Sequence, residues 1–185
     1  PQSPGYGKVI HKLSVGRRGE AHHMGFTDDR RYLWAGGLDD SRIYDNDCSF
    51  LSGWGLAMWR SSNNIVCRNA FDFCIRGYSH GVYNRGQDSA GILLFEQCSK
   101  NTIALNSVTH GGDGLFGFAG KEALGERLPD GADATFTKGR GCNENVIVGN
   151  DFSFAAAHGL EMTFSFGNVI AHNTFESNAI CGIWG

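Results

Sequence analysis

Several features of common protein classes are absent from this sequence of 185 residues. It has three prolines, no basic run, and no apolar stretch near the roughly 18 residues of a membrane-spanning helix. Its formal net charge of −3 disfavours a protein that holds nucleic acid through the phosphates. The glycines follow no three-residue period, which excludes a collagen helix. We therefore expect neither a nucleic-acid partner nor a membrane span.

Glycine and asparagine organise the sequence. Glycine numbers 27, close to twice its usual share of about 7%. Pairs of asparagines five residues apart recur four times, and Ser41 with Asn46 fits the same spacing. A β-branched apolar residue lies two positions after the first member of each pair. The four pairs are Asn64 and Asn69, Asn101 and Asn106, Asn145 and Asn150, and Asn168 and Asn173. Such self-similarity indicates a repeat architecture.

The repeat has a basic period of 23 residues, which separates Asn46 from Asn69 and Asn150 from Asn173. The other two steps are 37 and 44 residues long, and their additional residues predict loops at about 74–87 and 120–141. We predict one domain over 1–185, with irregular or cap-like coils in 1–40 and five recognisable coils in 41–185. Because the last unit ends midway through a strand, we expect the chain to be part of a longer solenoid.

The composition of each repeat predicts strands. The apolar runs are short, β-branched and aromatic, and no segment has a sustained helical stripe. We therefore predict an all-β fold, a single-stranded parallel β-helix with coils of about 23 residues and two inserted loops. Inward asparagines would hydrogen-bond along a column from coil to coil. Scarce proline fits uninterrupted strand ladders.

One repeat unit resembles a known family. The segment Asn145-Val146-Ile147-Val148-Gly149-Asn150-Asp151-Phe152 resembles the right-handed parallel β-helix repeat of pectin-lyase-like and NosD-like proteins. The resemblance implies a right-handed solenoid, a complex carbohydrate as partner, and an extracellular or periplasmic location. The catalytic motifs of alginate epimerases, polygalacturonases and pectate lyases are missing, so the resemblance implies no particular reaction.

One outer face of the predicted coil is rich in aromatic side chains. Strand alternation turns these rings outward, and sugar rings stack their C–H faces on aromatic rings. Arginines in or next to the loops could neutralise a substrate carboxylate. The alternative is that the inserted loops cover this apolar face. The predicted substrate-binding residues are Trp59, Phe95, Phe116, Trp184, Arg85 and Arg140.

An acid–histidine–acid set is predicted next to this face. Asp113 and His158 precede the repeated glycine in adjacent coils, about one inter-strand spacing apart. Glu161 follows His158 by three residues. The set could transfer a proton at a uronate or glycosidic carbon. The alternative is an ordinary Asp–His hydrogen bond at a solvated bend. Further catalytic candidates are His110, His80 and Asp88.

Two functions therefore stay open. The first is a lyase, epimerase or hydrolase that acts on acidic polysaccharide. The second is a non-catalytic β-helix that binds glycan or has a structural or assembly role, and an oligomer is compatible with either. We assign no metal site and no cofactor, although Gly111–Gly114 with Asp88 could form an oxygen site for Ca²⁺.

The six cysteines do not predict a disulfide framework. Cys48 takes the place of a core phenylalanine, and Cys67 shares a largely apolar column of the repeat. Cys98 and Cys142 share one column and would be neighbours in space. One bridge between them is geometrically feasible, and stacked reduced thiols in the core are the alternative.

Overall fold

The structure, a computed structural model, describes residues 13–14, 18–25, 31–51, 53–75 and 89–185, and most regular structure in them is β-strand. Longer strands alternate with strands of two or three residues. The longer strands are β2 (Arg18–Gly25), β3 (Arg31–Asp39), β5 (Trp54–Trp59), β7 (Ala90–Phe95), β9 (Asp113–Phe118), β11 (His158–Met162) and β13 (Cys181–Trp184). The short strands are β1 (Leu13–Ser14), β4 (Arg42–Tyr44), β6 (Ile65–Cys67), β8 (Thr102–Ala104), β10 (Val146–Val148) and β12 (Val169–Ala171).

These strands form two sheets that run the length of the described coils. The long sheet has the order β2-β3-β5-β7-β9-β11-β13, and the short sheet has the order β1-β4-β6-β8-β10-β12. Neighbours are parallel except for β2 with β3 and β1 with β4. Single parallel bridges at Asp47, Ala70, Ser107, Asp151 and Thr174 form a third wall. The predicted parallel β-solenoid is confirmed.

Inward columns of aliphatic side chains fill the solenoid. Leu56, Ile92, Leu115 and Leu160 are register partners on successive long strands, and all four are buried. Ile183 continues the column on β13, where it is half exposed. A single coil could not bury these side chains, so stacking supplies the core.

The predicted asparagine ladders are present in two columns. In each, the side-chain Oδ1 accepts from both the backbone N–H and the Nδ2 of the preceding asparagine; for Asn150 these distances from Asn106 are 3.0 and 2.9 Å. Asn106 Nδ2 also donates to the Val66 carbonyl at 3.0 Å. The same pattern continues to Asn173. Burial of these amides is compensated because every bend repeats the same donor and acceptor.

The glycine that precedes each inward leucine or isoleucine lies where the chain turns closely over the core. A Cβ atom on Gly91 would collide with Val108, and one on Gly114 would collide with the Gly159 carbonyl. Close approach of backbone therefore requires glycine in this column, which accounts for part of the glycine excess.

The six cysteines are free thiols, and four of them are buried. Burial raises the pKa of the Cys98 thiol, and the neighbouring Cys142 thiol raises it further. The Cys98 thiol in turn lowers the pKa of Cys142. The pair therefore corresponds to the reduced-thiol alternative.

The predicted loop at 120–141 contains two short helices, α1 (Gly120–Ala123) and α2 (Ala134–Lys138). Asp133 caps α2, because its Oδ1 accepts from the backbone N–H groups of Thr135 at 2.9 Å and Phe136 at 3.1 Å. No helix among the described residues is long and apolar enough to cross a membrane.

The long sheet extends upstream of the first Ser–Asn pair. β3 pairs in parallel with β5, with Leu33 opposite Leu56, and β2 folds back antiparallel on β3. A register of inward residues therefore already exists within residues 31–39. The sequence pattern missed it because β3 lacks the asparagine pair that marks later coils.

Candidate functional site

Asp113, His158 and Glu161 form one cluster, which we call the Asp-His-Glu cluster. Asp113 begins β9 and His158 begins β11, and these strands are parallel neighbours in the long sheet. His158 Nδ1 lies 2.9 Å from Glu161 Oε2 and 3.4 Å from Asp113 Oδ1. The predicted convergence of the three side chains is therefore present, and one imidazole nitrogen lies between two carboxylates.

The cluster is held by backbone as well as side-chain contacts. The His158 backbone N–H donates to Asp113 Oδ1 at 2.8 Å. The His158 ring stacks on Trp184 with centroids 5.6 Å apart. Asp113 is fully buried and His158 nearly so, while 15% of the Glu161 side chain is exposed. Glu161 is thus the member of the cluster through which a ligand would make contact.

The predicted aromatic face forms a second apolar cluster on the outside of the long sheet. Ala57 and Leu93 are buried there, packed against half-buried aromatic rings. Trp59 stacks on Trp34 at 6.4 Å. The described aromatic residues of the face are Trp34, Trp54, Trp59, Phe95, Phe116, Phe118 and Trp184.

A cationic cleft lies where this face meets the loop of α1 and α2. Its larger part has a volume of about 490 Å³ and is lined by Arg60, Arg127 and Arg140, with Glu122, Leu128, Pro129 and Phe136. A neighbouring part of about 270 Å³ adds Phe95, Glu96, Phe118 and Lys121. Four cationic side chains and two carboxylates therefore surround one concave region.

Glu122 contacts side chains from both the loop and the long sheet. Its carboxylate lies 3.3 Å from Arg60 and 3.6 Å from Arg140, and it accepts from Gln97 at 3.3 Å. Arg140 also donates to Gln97 at 3.1 Å and lies 4.3 Å above the Phe136 ring. The loop is thereby joined to the long sheet, and the guanidinium of Arg140 is oriented toward the cleft.

The predicted site residues fall into separate groups. Trp59, Phe95 and Arg140 lie at the cleft or beside it, and Phe116 is the register partner of Glu161. His110 stacks between Phe73 at 4.6 Å and Phe154 at 4.7 Å. The predictions for His80, Arg85 and Asp88, and with Asp88 the candidate Ca²⁺ site, lie outside the described residues.

Sequence reasoning missed Arg60, Lys121, Glu122 and Arg127. Arg60 directly follows Trp59 of the aromatic column, so the sequence does indicate a cation next to the aromatic face. The mixed charges of the loop gave a second signal, since residues 120–141 are the stretch where lysine, glutamate and aspartate gather. Which cations meet in space depends on the path of the loop, and the spacing does not encode that path.

Comparisons with known proteins address the fold and one short segment. A family model for a right-handed β-helix region matches residues 30–184. A 44-residue segment is 75% identical to a methanethiol oxidase of Hyphomicrobium sp and covers 24% of this chain. A methanethiol oxidase of Ruegeria pomeroyi is 57% identical over 44 residues.

In both cases the matched segment spans only about 10% of the relative's length. No solved structure matches the chain. The family model covers most of the sequence and agrees with the parallel sheets, the stacked core and the asparagine columns. The chain belongs to the right-handed β-helix family.

Proposed function

We propose that this protein binds acidic polysaccharide on the outer face of the long sheet, with the cationic cleft as the anchoring site. The observation that carries the proposal is the meeting of Arg60, Arg127 and Arg140 in one cleft beside aromatic rings. A uronate offers a planar carboxylate that a guanidinium can bind through two hydrogen bonds. Neutral glycans offer no such group.

The shape of the cleft suits a short stretch of polymer. Its larger part, about 490 Å³, lies within the range of about 300–1,000 Å³ that is usual for small-ligand sites. The cleft is open to solvent on the outside of the solenoid. An internal stretch of a polysaccharide can therefore bind there as well as a chain end. Phe95 and Phe118 stack on one another at 4.9 Å and supply apolar wall for sugar C–H groups.

A catalytic version of this function rests on the Asp-His-Glu cluster. Glu161 pairs in register with Phe116, and the Phe116 ring lies 6.3 Å from Phe118, which lines the cleft. A glycan held in the cleft could therefore extend to Glu161. There Glu161 would exchange a proton with the sugar, and His158 would accept or return it through Nδ1. Lyase, epimerase and hydrolase reactions all need such a transfer.

The test is binding of polygalacturonate and alginate, with neutral dextran as comparison, by the full chain and by Arg127→Gln and Arg140→Gln. Each substitution is expected to weaken uronate binding by about 10- to 150-fold, since a lost charge-assisted hydrogen bond is worth about 1.5–3 kcal/mol. Arg42→Gln, on the short sheet, is the matched control and should bind like the unmodified protein. Equal binding of dextran, or unchanged affinity in both cleft variants, would contradict the proposal.

Turnover is measured separately. Product formation from the same uronate polymers that is lost in Glu161→Gln supports the catalytic version. Binding in the cleft without product supports the non-catalytic module.

A further inference from the structure

The distances from His158 Nδ1 to the two carboxylates of the Asp-His-Glu cluster match the separations of ligands around one metal ion. The candidate ligand atoms of the three residues all lie within 4.8 Å of one another. His158 Nδ1 is 2.9 Å from Glu161 Oε2 and 3.4 Å from Asp113 Oδ1. Ligands bound at about 2.0–2.2 Å from one ion are about 3.0 Å apart in octahedral geometry and about 3.5 Å apart in tetrahedral geometry.

Asp113 and His158 are also held in place by contacts outside the cluster. Asp113 and His158 begin neighbouring parallel strands, so the sheet hydrogen bonds set the distance between them. Asp113 Oδ1 is further held by the His158 backbone N–H, and the imidazole is held by its stack on Trp184. Such outer contacts orient metal ligands and increase metal affinity.

We propose that Asp113, His158 and Glu161 bind one divalent metal ion of the manganese and zinc class. The ligands are Nδ1 of His158 and one oxygen from each carboxylate. One imidazole with two carboxylates suits Mn²⁺, Fe²⁺ or Zn²⁺, whereas Ca²⁺ takes oxygen ligands alone. Partial exposure of Glu161 leaves one side of the ion open to water or to a substrate oxygen.

This site does not depend on glycan binding, and it competes with direct proton transfer. An ion on His158 Nδ1 replaces the proton that the nitrogen would otherwise share with Glu161. Metal binding needs the lone pair of Nδ1 and so keeps the imidazole proton on Nε2, whereas the acid–base role needs Nδ1 to carry a proton in turn. The two roles for the same nitrogen can be separated by measuring metal binding alone.

The experiment is a titration of the chelator-treated full chain with Mn²⁺, followed by calorimetry and by the loss of the free-ion electron spin resonance signal. Mn²⁺ is the probe because thiolates, which favour Zn²⁺, compete for it weakly. The variants are Glu161→Gln and His158→Gln. The matched controls are Glu176→Gln and His172→Gln, which alter exposed side chains outside the long sheet.

We expect one Mn²⁺ per chain for the unmodified protein and both controls, and binding that is weaker in each cluster variant by at least the roughly 10–100-fold that loss of an outer contact costs. If His158→Gln does not fold, Glu161→Gln decides, because it retains the size of a partly exposed side chain. No Mn²⁺ site in the unmodified protein, or equal affinity in Glu161→Gln, overturns the proposal. Uronate binding measured with chelator present shows whether the cationic cleft acts without the ion.

Discussion

The left-handed backbone conformation recurs at several positions of each coil, and one of them lies directly before the second asparagine. Asp45, Arg68, Leu105 and His172 adopt φ values between 55° and 57° there, and Gly149 has φ 67°. An L side chain in this conformation costs roughly 1–2 kcal/mol, while glycine and asparagine tolerate it. The coil therefore accepts local strain so that the following asparagine can point inward.

Leu105→Asn is expected to stabilise the protein by about 1 kcal/mol, because Leu105 is exposed and loses little packing when it is replaced. Urea unfolding measures the change. Gly149→Ala is the opposing control and should destabilise, since it places a side chain at φ 67°. Equal stability of Leu105→Asn and the unmodified protein would show that the strain is negligible.

Asn106→Ala removes one rung of a buried ladder. Asn106 Oδ1 accepts from the backbone N–H and from the Nδ2 of Asn69, both at 3.0 Å. Its loss leaves the buried Asn69 backbone N–H unsatisfied, whereas Asn69 Nδ2 still donates to the Ile43 and Cys67 carbonyls, so we expect a loss of about 1–3 kcal/mol in unfolding free energy. The control is Asn168→Ala at the half-buried part of the other ladder. An equal loss at both positions would contradict an effect of burial.

The buried cysteines are expected to lower the stability of the protein at alkaline pH. Burial raises the pKa of Cys74 and of Cys98 in the folded protein. Above the ordinary thiol pKa of about 8.5 the unfolded chain loses these protons and the folded chain keeps them, so stability is full below this pH and falls above it. Cys74 contributes a slope of about 1.4 kcal/mol per pH unit, whereas the lowered pKa of Cys142 opposes the contribution of Cys98.

Unfolding free energies between pH 7 and pH 10, measured in reductant, test this dependence. Cys74→Ala should show a shallower fall with pH than the unmodified protein. Cys181→Ala, at a partly exposed thiol, is the control and should retain the slope. A slope that does not respond to Cys74→Ala would assign the alkaline loss to other groups.

At the scale of elements, the loop of α1 and α2 is joined to the long sheet largely through polar contacts. Glu122 contacts Arg60, Gln97 and Arg140, and these groups are partly exposed. Exposed ion pairs contribute about 0–1 kcal/mol each. The loop can therefore loosen without unfolding of the coils beneath it.

Glu122→Gln is expected to increase the rate of proteolytic cleavage within residues 124–135 and to change the unfolding free energy by less than about 1 kcal/mol. Limited proteolysis with mass spectrometry locates the cuts. Glu144→Gln, whose carboxylate lies 3.8 Å from Lys100 on another part of the surface, is the control. A large drop in global stability would show that the loop and coils unfold together.

The sequence predicts the repeated parts of these elements better than the unique ones. Asn106 and Asn150 mark their coils because the same hydrogen bonds are needed at each bend, so the residue type recurs with the period. Asp113 and His158 could be placed as neighbours because register follows from that period. Arg60 and Arg127 share a cleft only through the path of the inserted loop, and no periodicity encodes that path. The pairing of β3 with its neighbours could not be predicted because β3 lacks the asparagine pair that marks the later coils.

On the scale of the whole molecule, the Asp-His-Glu cluster and the cationic cleft lie at different places along the same long sheet. The Asp-His-Glu cluster lies on β9 and β11, and the cationic cleft lies where β5, β7 and β9 meet the loop. A stacked solenoid keeps these positions at fixed separations, because each coil contacts its neighbours through the full ladder. The rod therefore provides a rigid frame on which the loop adds charge.

The asparagine ladders form the same hydrogen bonds across short and long steps of the repeat. Asn106 and Asn150 are 44 residues apart and bond at 2.9 Å, as do Asn46 and Asn69 across 23 residues. The coil geometry is thus indifferent to the length of chain between successive rungs. One binding loop can therefore be exchanged for another at the site of insertion, by evolution or by design, while the register of the coils stays the same.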